Sequence, residues 1–263
     1  MVLERLESVR DAVRNPWHML LVGGIISVIS LFIAFMMSAQ SVGMFTSFIV
    51  TIAMMPLMVN LITYEEVKEE QMARMMKGNI LQRHGDILWI YSSFFTGMLI
   101  ALTLIFMMLP ADVTQKLFGD QINQINVIRG NATVFTTFEK VIVNNIGVLL
   151  VAFIFSLLFG AGAVFILTWN ASILATAIGM SAKSLGGVAG LPLAVLTYLP
   201  HGSLEILAYF IGGISGGLLS AAITRRKSKW FGLILRDSLK LLSTGVVILF
   251  IAAIIESVLI SVA

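Results

Sequence analysis

Two carboxyl groups, an imidazole and three carboxamides lie in or beside stretches otherwise apolar enough for hydrocarbon: Glu205, Glu256, His201, Asn144, Asn145 and Asn170. An ionisable side chain at the centre of a bilayer costs roughly 2.5–3.5 kcal/mol on insertion scales, so each needs a reason to be there. His201 and Glu205 are four residues apart and share a face if that stretch is helical. Pro200 suits the first turn of a helix, and Gly202 lets a second backbone come close. A neutral imidazole could donate to the Glu205 carboxylate, or a protonated carboxyl could donate to a carbonyl. Asn144 and Asn145 open a span that starts on the same side of the membrane, which makes a cluster with His201 and Glu205 possible. Asn170 joins only if the segment around it dips inward, and Glu256 lies near the end of the last span.

Such a cluster has three uses. It can be a hydrogen-bonded knot that holds helices together, a path for protons, ions or a small solute, or a catalytic or metal site. One histidine and one glutamate fall short of a zinc ligand set, and no HExxH sequence is present. No catalytic residue, metal or cofactor is therefore expected. Behind Glu205, small residues recur at every fourth position in Ala208, Gly212, Gly216 and Ser220. A second row is formed by Gly213, Gly217 and Ala221. Rows of this kind let helices cross closely, either inside one bundle or between two copies of a chain.

Long apolar segments must position these groups. The 263 residues are 58% hydrophobic and only 12% charged, against about 25% charged in a soluble domain, and mean hydropathy is +0.97. This is the composition of a polytopic membrane protein, all-α, with no nucleic-acid partner expected. Cysteine is absent, which excludes disulfides and thiolate metal sites. Residues 2–17 place Leu6, Val9 and Val13 on one face and charges around the other, predicting a surface helix ended by Asn15-Pro16 and anchored by Trp17.

Spans are predicted at 18–37, 42–64, 87–109, 141–167, 203–223 and 241–262, each long enough for about 30 Å of hydrocarbon. Residues 170–199 are apolar but interrupted by Lys183, Gly186, Gly187 and Pro192, which predicts a discontinuous crossing made of two half-helices. Residues 65–86 read as a charged helical connector with His84 on its surface. Residues 110–140 read as an outer loop of short helices carrying the glycosylation triplet Asn131-Ala132-Thr133, and Trp230–Lys240 as an interfacial helix. With seven crossings, thirteen of the seventeen Lys and Arg residues fall in the N-terminal segment, the connector and residues 225–240. The excess of cations on that side predicts a cytoplasmic N-terminus and an outside C-terminus in the cell membrane.

At these residues the chain resembles the stage II sporulation protein M family of integral membrane proteins. The matching features are Asn144-Asn145 opening a span, Gly160 and Gly162 followed by Asn170, and Pro200-His201-Gly202 with Glu205. The glycine-rich helix after that motif and Glu256 in the last span also match. The resemblance covers roughly residues 87–263, with residues 1–86 as an added surface helix, two-span hairpin and connector. It implies a five-span core and a non-enzymatic membrane scaffold, as in the sporulation member that works beside cell-wall hydrolases during engulfment. Together with the small-residue rows it leads to a homodimeric scaffold or accessory component of envelope machinery, in contact with the lipid bilayer and with another membrane or envelope protein. The alternative is a transporter or channel for protons, ions or a small solute that uses the His201, Glu205 and Asn cluster.

Overall fold

A computed structural model describes residues 9–37, 40–74, 84–129, 134–160, 162–224 and 231–262. Among these the chain is helical: α1 Val9–Arg14, α2 His18–Met36, α3 Val42–Arg74, α4 Gly85–Met108, α5 Ala111–Arg129, α6 Val134–Phe159, α7 Ala163–Ser184, α8 Leu191–Thr224 and α9 Phe231–Val262, with a 3-10 turn at Gly187–Gly190 before α8. Seven helices among the described residues are long and apolar enough to cross a membrane. An all-α polytopic bundle is what the composition demands, because a chain in hydrocarbon must satisfy its backbone groups within its own segments. Hydroxyls at that depth follow the same rule, with Ser27, Thr46, Thr51 and Thr176 donating back to the carbonyl four residues earlier.

The ends of the helices correct several sequence boundaries. The fourth crossing stops at Phe159 rather than Leu167, because Gly160 takes φ +73° and turns the chain. The next crossing, α7, then runs unbroken to Ser184. The glycine break predicted inside 170–199 exists, with Gly186 at φ +98° and Gly187 at +74°, yet it separates two complete helices instead of dividing one crossing. Residues 191–199 belong to α8, whose 34 residues span about 50 Å and include Pro200. The interfacial helix expected around Trp230–Lys240 is the start of the single helix α9. In place of short helices, α5 is one element of 19 residues. The triplet at Asn131 lies outside the described residues.

At the core of the bundle, α8 packs against α9, α6, α7, α3 and α4. Aromatic rings join it to α4, where Phe210 lies 5.0 Å from Phe95 and 5.7 Å from Tyr91 between centroids. On the other side of α4, α2 crosses so closely that a Cβ at Gly23 would strike the Phe94 carbonyl and one at Gly97 the Leu20 carbonyl. Trp17 and Trp89, 5.8 Å apart and both exposed, mark the interface at that end of the two helices. At the opposite end Lys183 of α7 donates to the Leu109 carbonyl at 2.7 Å and sits 5.0 Å from the Phe106 ring centre. Leu109 ends α4 in an extended conformation ahead of Pro110, so its backbone is open to this donor. Helix α5 folds back from there along α7 and α3, with Gln121 donating to Ser172 and Ser41 to Asp120.

Candidate functional site

Glu205 and Tyr209 are four residues apart on α8 and point at the same neighbours. Asn145 of α6, 5% exposed, sits between them. Its Nδ2 donates to Glu205 Oε1 at 2.5 Å, and its Oδ1 accepts the Tyr209 hydroxyl at 2.9 Å. The same Oδ1 takes a bond from Asn144 Nδ2 at 3.2 Å, with Asn144 on the exposed rim. The carboxyl of Glu256, carried by α9, lies within hydrogen-bonding reach of Glu205. Three helices are thus tied at one point, in the half of the bundle that shares its end with α5. Asn145 is 7 residues into the span of α6 from that end, and Glu256 is 3 residues short of the end of the α9 span.

Two residues singled out in the sequence stand apart from this cluster. The side chain of His201 does not bond Glu205 despite the shared face. Its ring lies 6.1 Å from that of Tyr198, and its Nδ1 is buried without a hydrogen-bond partner. Asn170 donates at 2.8 Å to the carbonyl of Ile166 in its own helix, α7. Tyr209 was missed in the sequence, although its spacing from Glu205 is the same signal that singled out His201. Residues 213–217 also carry a spacing missed there, the Gly-x-Ser-x-Gly of a nucleophile elbow. That elbow needs a strand-to-helix turn, whereas Ser215 is in the middle of α8 and donates to the Ser238 carbonyl at 2.7 Å.

Both rows of small residues face helices of the same chain. A Cβ on Gly212 would come within 2.6 Å of Leu149, and one on Gly216 would strike the Phe153 carbonyl, both on α6. On the other row, Gly213 faces Ala163 at 2.8 Å and Gly217 faces Ile62 at 2.6 Å. Ala208 is fully buried and Ser220 half-buried along the first row. These contacts set the depth at which α8 lies against α6 and so bring Asn145 within reach of Glu205.

A second polar group lies at the far end of the bundle, where the spans of α3 and α4 end, with Lys68 and His84 just outside them. His84, expected on the surface, is 1% exposed, and its Nδ1 lies 3.0 Å from Glu65 Oε1. Next to it Lys68 pairs with Asp86 at 2.7 Å and with Glu65 at 3.7 Å. Burial alone would push the Lys68 ammonium down. The bond to Asp86 and the charges of Glu65 and Asp86 outweigh it and hold the group above the usual lysine value. These pairs join the end of α3 to the start of α4.

The family model for stage II sporulation protein M matches residues 45–259. The chain belongs to that family. No curated protein and no solved structure matches it. The stage II sporulation protein M match begins in α3, further toward the N-terminus than the resemblance read from the motifs, and takes in every member of the Asn145 cluster together with both glycine rows. This is accordingly a multi-pass membrane protein of the stage II sporulation protein M family.

Proposed function

We propose that this chain is a non-enzymatic scaffold or accessory component of envelope-associated machinery in the cell membrane, with its N-terminus in the cytoplasm and its C-terminus outside. The observation that carries this reading is the use made of Asn145. Both ends of its amide are committed to Glu205 and Tyr209, so the polar residues at membrane depth serve to join α6 and α8. The glycine rows support it as well, since they are spent on packing within the chain and build a rigid body. Assembly with a second copy or with another membrane protein then uses lipid-facing surface outside Gly212, Gly213, Gly216 and Gly217. The test is crosslinking of the full chain in native membranes followed by identification of the adducts. Recovery of a defined oligomer or one recurrent membrane partner supports the reading, and a monomer without adducts overturns it.

A second reading, passage of protons, ions or a small solute, is favoured by one observation. Glu205 and Glu256 stand side by side and only half-buried at membrane depth. Flux into liposomes containing the purified protein decides it. A flux abolished by Glu205→Gln establishes transport, and a flux absent in the wild type, or untouched by both Glu205→Gln and His201→Ala, removes it.

A further inference from the structure

Helix α6 is one of the two spans least covered by the rest of the bundle. Its inner face, with Asn145, Leu149 and Ala152, is buried against α8, α9 and α7. On the opposite side Asn144, Val151, Ile154 and Leu158 are exposed, and Gly147 is half-buried with nothing within 4 Å of a Cβ built there. These five residues follow one another at steps of three, four, three and four, the heptad spacing of a seam that lies along a second helix at about 20°. Asn144 is 6 residues into the span, at a depth where polar groups need partners within protein. One hydrogen of its amide goes to Asn145 Oδ1 at 3.2 Å, and among the described residues the other hydrogen and Oδ1 have no partner. Exposed hydroxyls in the spans, such as Thr197 and Ser243, return their proton to a carbonyl of their own helix. The oxygen of Asn144 has no such recourse, because the N–H groups of a helix interior are already used.

We propose that α6 is the contact between two copies of this chain, side by side about a two-fold axis along the membrane normal, with the Asn144 amides of the two copies bonded to each other. The proposal names the surface that the scaffold reading leaves open, and it rests on that reading. What remains on Asn144, one N–H and one carbonyl oxygen in a planar amide, is its own complement. A two-fold axis sets equal residues opposite each other, so each amide donates to the other and both oxygens are satisfied. One asparagine in an otherwise apolar seam fixes the register and the number of helices that join. Gly147, one turn deeper, gives the two backbones room to approach above Val151, Ile154 and Leu158. Apolar surface supplies no drive for helices to associate in lipid. The amide and the glycine therefore set this face apart from the exposed apolar stripe of α9 at Phe250, Ile251 and Ile254. The bonds from Asn145 to Glu205 and Tyr209 lie on the inner side of α6 and stay as they are.

The test is oxidative crosslinking of the full chain in liposomes. Because the chain contains no cysteine, Val151→Cys on the seam and Ile251→Cys on α9 each report one face without background. Val151→Cys is expected to give a covalent dimer and Ile251→Cys to remain monomeric. Adding Asn144→Leu to Val151→Cys removes both amide bonds and should weaken dimerisation roughly tenfold, read as the protein-to-lipid ratio at which the crosslink is half-maximal. Gly147→Ile fills the space between the backbones and should weaken it as well; the free monomer has room for that side chain, so a loss of crosslinking there is not a loss of folding. A crosslink at Val151 that ignores either substitution overturns the proposal. So does a dimer formed through Ile251 in preference to Val151, an outcome that leaves the scaffold reading standing on a different face. Absence of a covalent dimer at both positions also overturns it, and the scaffold reading then rests on recurrent adducts with another membrane protein in native membranes.

Discussion

Gly216 of α8 lies against the carbonyl of Phe153 in α6, with no room for a side chain between the two backbones. Any Cβ at this position must move one helix, and the contact is with backbone, which cannot swing aside. Gly216→Leu is expected to cost about 3 kcal/mol or more, at the top of the usual range for overpacking. Thermal unfolding in detergent measures it. Gly147→Ala is the control, since nothing lies within 4 Å of that position, and it should leave the transition unchanged or slightly raised.

The crossing of α2 over α4 predicts a different outcome. Gly23 and Gly97 each face backbone on the partner helix, but α2 contacts only α4 and α3 to any extent. Gly23→Val should therefore release α2 without unfolding the rest. Protease sensitivity or hydrogen exchange confined to residues 18–36 would show this, whereas protection lost throughout the bundle would contradict it.

Asn145 and Tyr209 contribute unequally. Tyr209→Phe removes one hydrogen bond from an acceptor that keeps Asn144, and should cost about 0.6 kcal/mol, the average for bonds between membrane helices, with about 1.7 kcal/mol as the upper bound. Asn145→Leu leaves both Glu205 and Tyr209 without their partner and should cost more, about 1–3 kcal/mol per stranded group. Reversible unfolding in mixed detergent reads both, and equal costs would argue against Asn145 as the centre of the cluster.

Lys183 holds the turn between α4 and α5 through Leu109, Thr114 and the Phe106 ring. Lys183→Met retains the apolar stem and removes the charge. Hydrogen exchange in residues 109–118 should rise, with little change in α8 and α9. Unchanged protection at Leu109 and Thr114 would show that the ammonium is dispensable.

Lys68 binds its proton more tightly in the folded chain than in the unfolded one, because Asp86 and Glu65 surround it. The folded state therefore holds the extra proton, and stability from this pair is complete below the ordinary lysine range and is lost as pH rises through the raised value. Asp86→Asn should remove that strongly alkaline loss. Stability measured against pH checks this, and an alkaline limb identical in Asp86→Asn and wild type would exclude the Lys68 pair as its source.

Much of the architecture was legible because its causes are local. A run of eighteen or more apolar residues in hydrocarbon has one way to satisfy its backbone, so the number of crossings follows from composition. Glycine marks where the chain turns, although which glycine ends a helix was misjudged. Gly160 stops α6 eight residues before Leu167, a consequence of its positive φ that hydropathy across the join does not reveal. The interfacial helix at Trp230–Lys240 is absorbed into α9 because charge interrupts hydropathy without interrupting helical hydrogen bonds, whereas the glycine break in 170–199 is real and falls between α7 and α8 instead of inside one crossing.

The candidate site divides along the same line. The sequence by itself determined that Glu205, Glu256 and Asn145 would lie at membrane depth and need partners, because an apolar setting leaves a carboxyl or amide no water. Only the tertiary structure decided which partners. A spacing of four residues gives His201 and Glu205 a common face but not a bond, and Glu205 is met instead by Asn145, 60 residues away, and by Glu256. His84 shows the same limit, since a histidine before a glycine reads as surface until α3 returns Glu65 to within 3.0 Å of it. Hydrogen bonds act over about 3 Å, whereas sequence spacing fixes distance only along one helix. The separation between helices is set by where glycines such as Gly212 and Gly216 let two backbones meet.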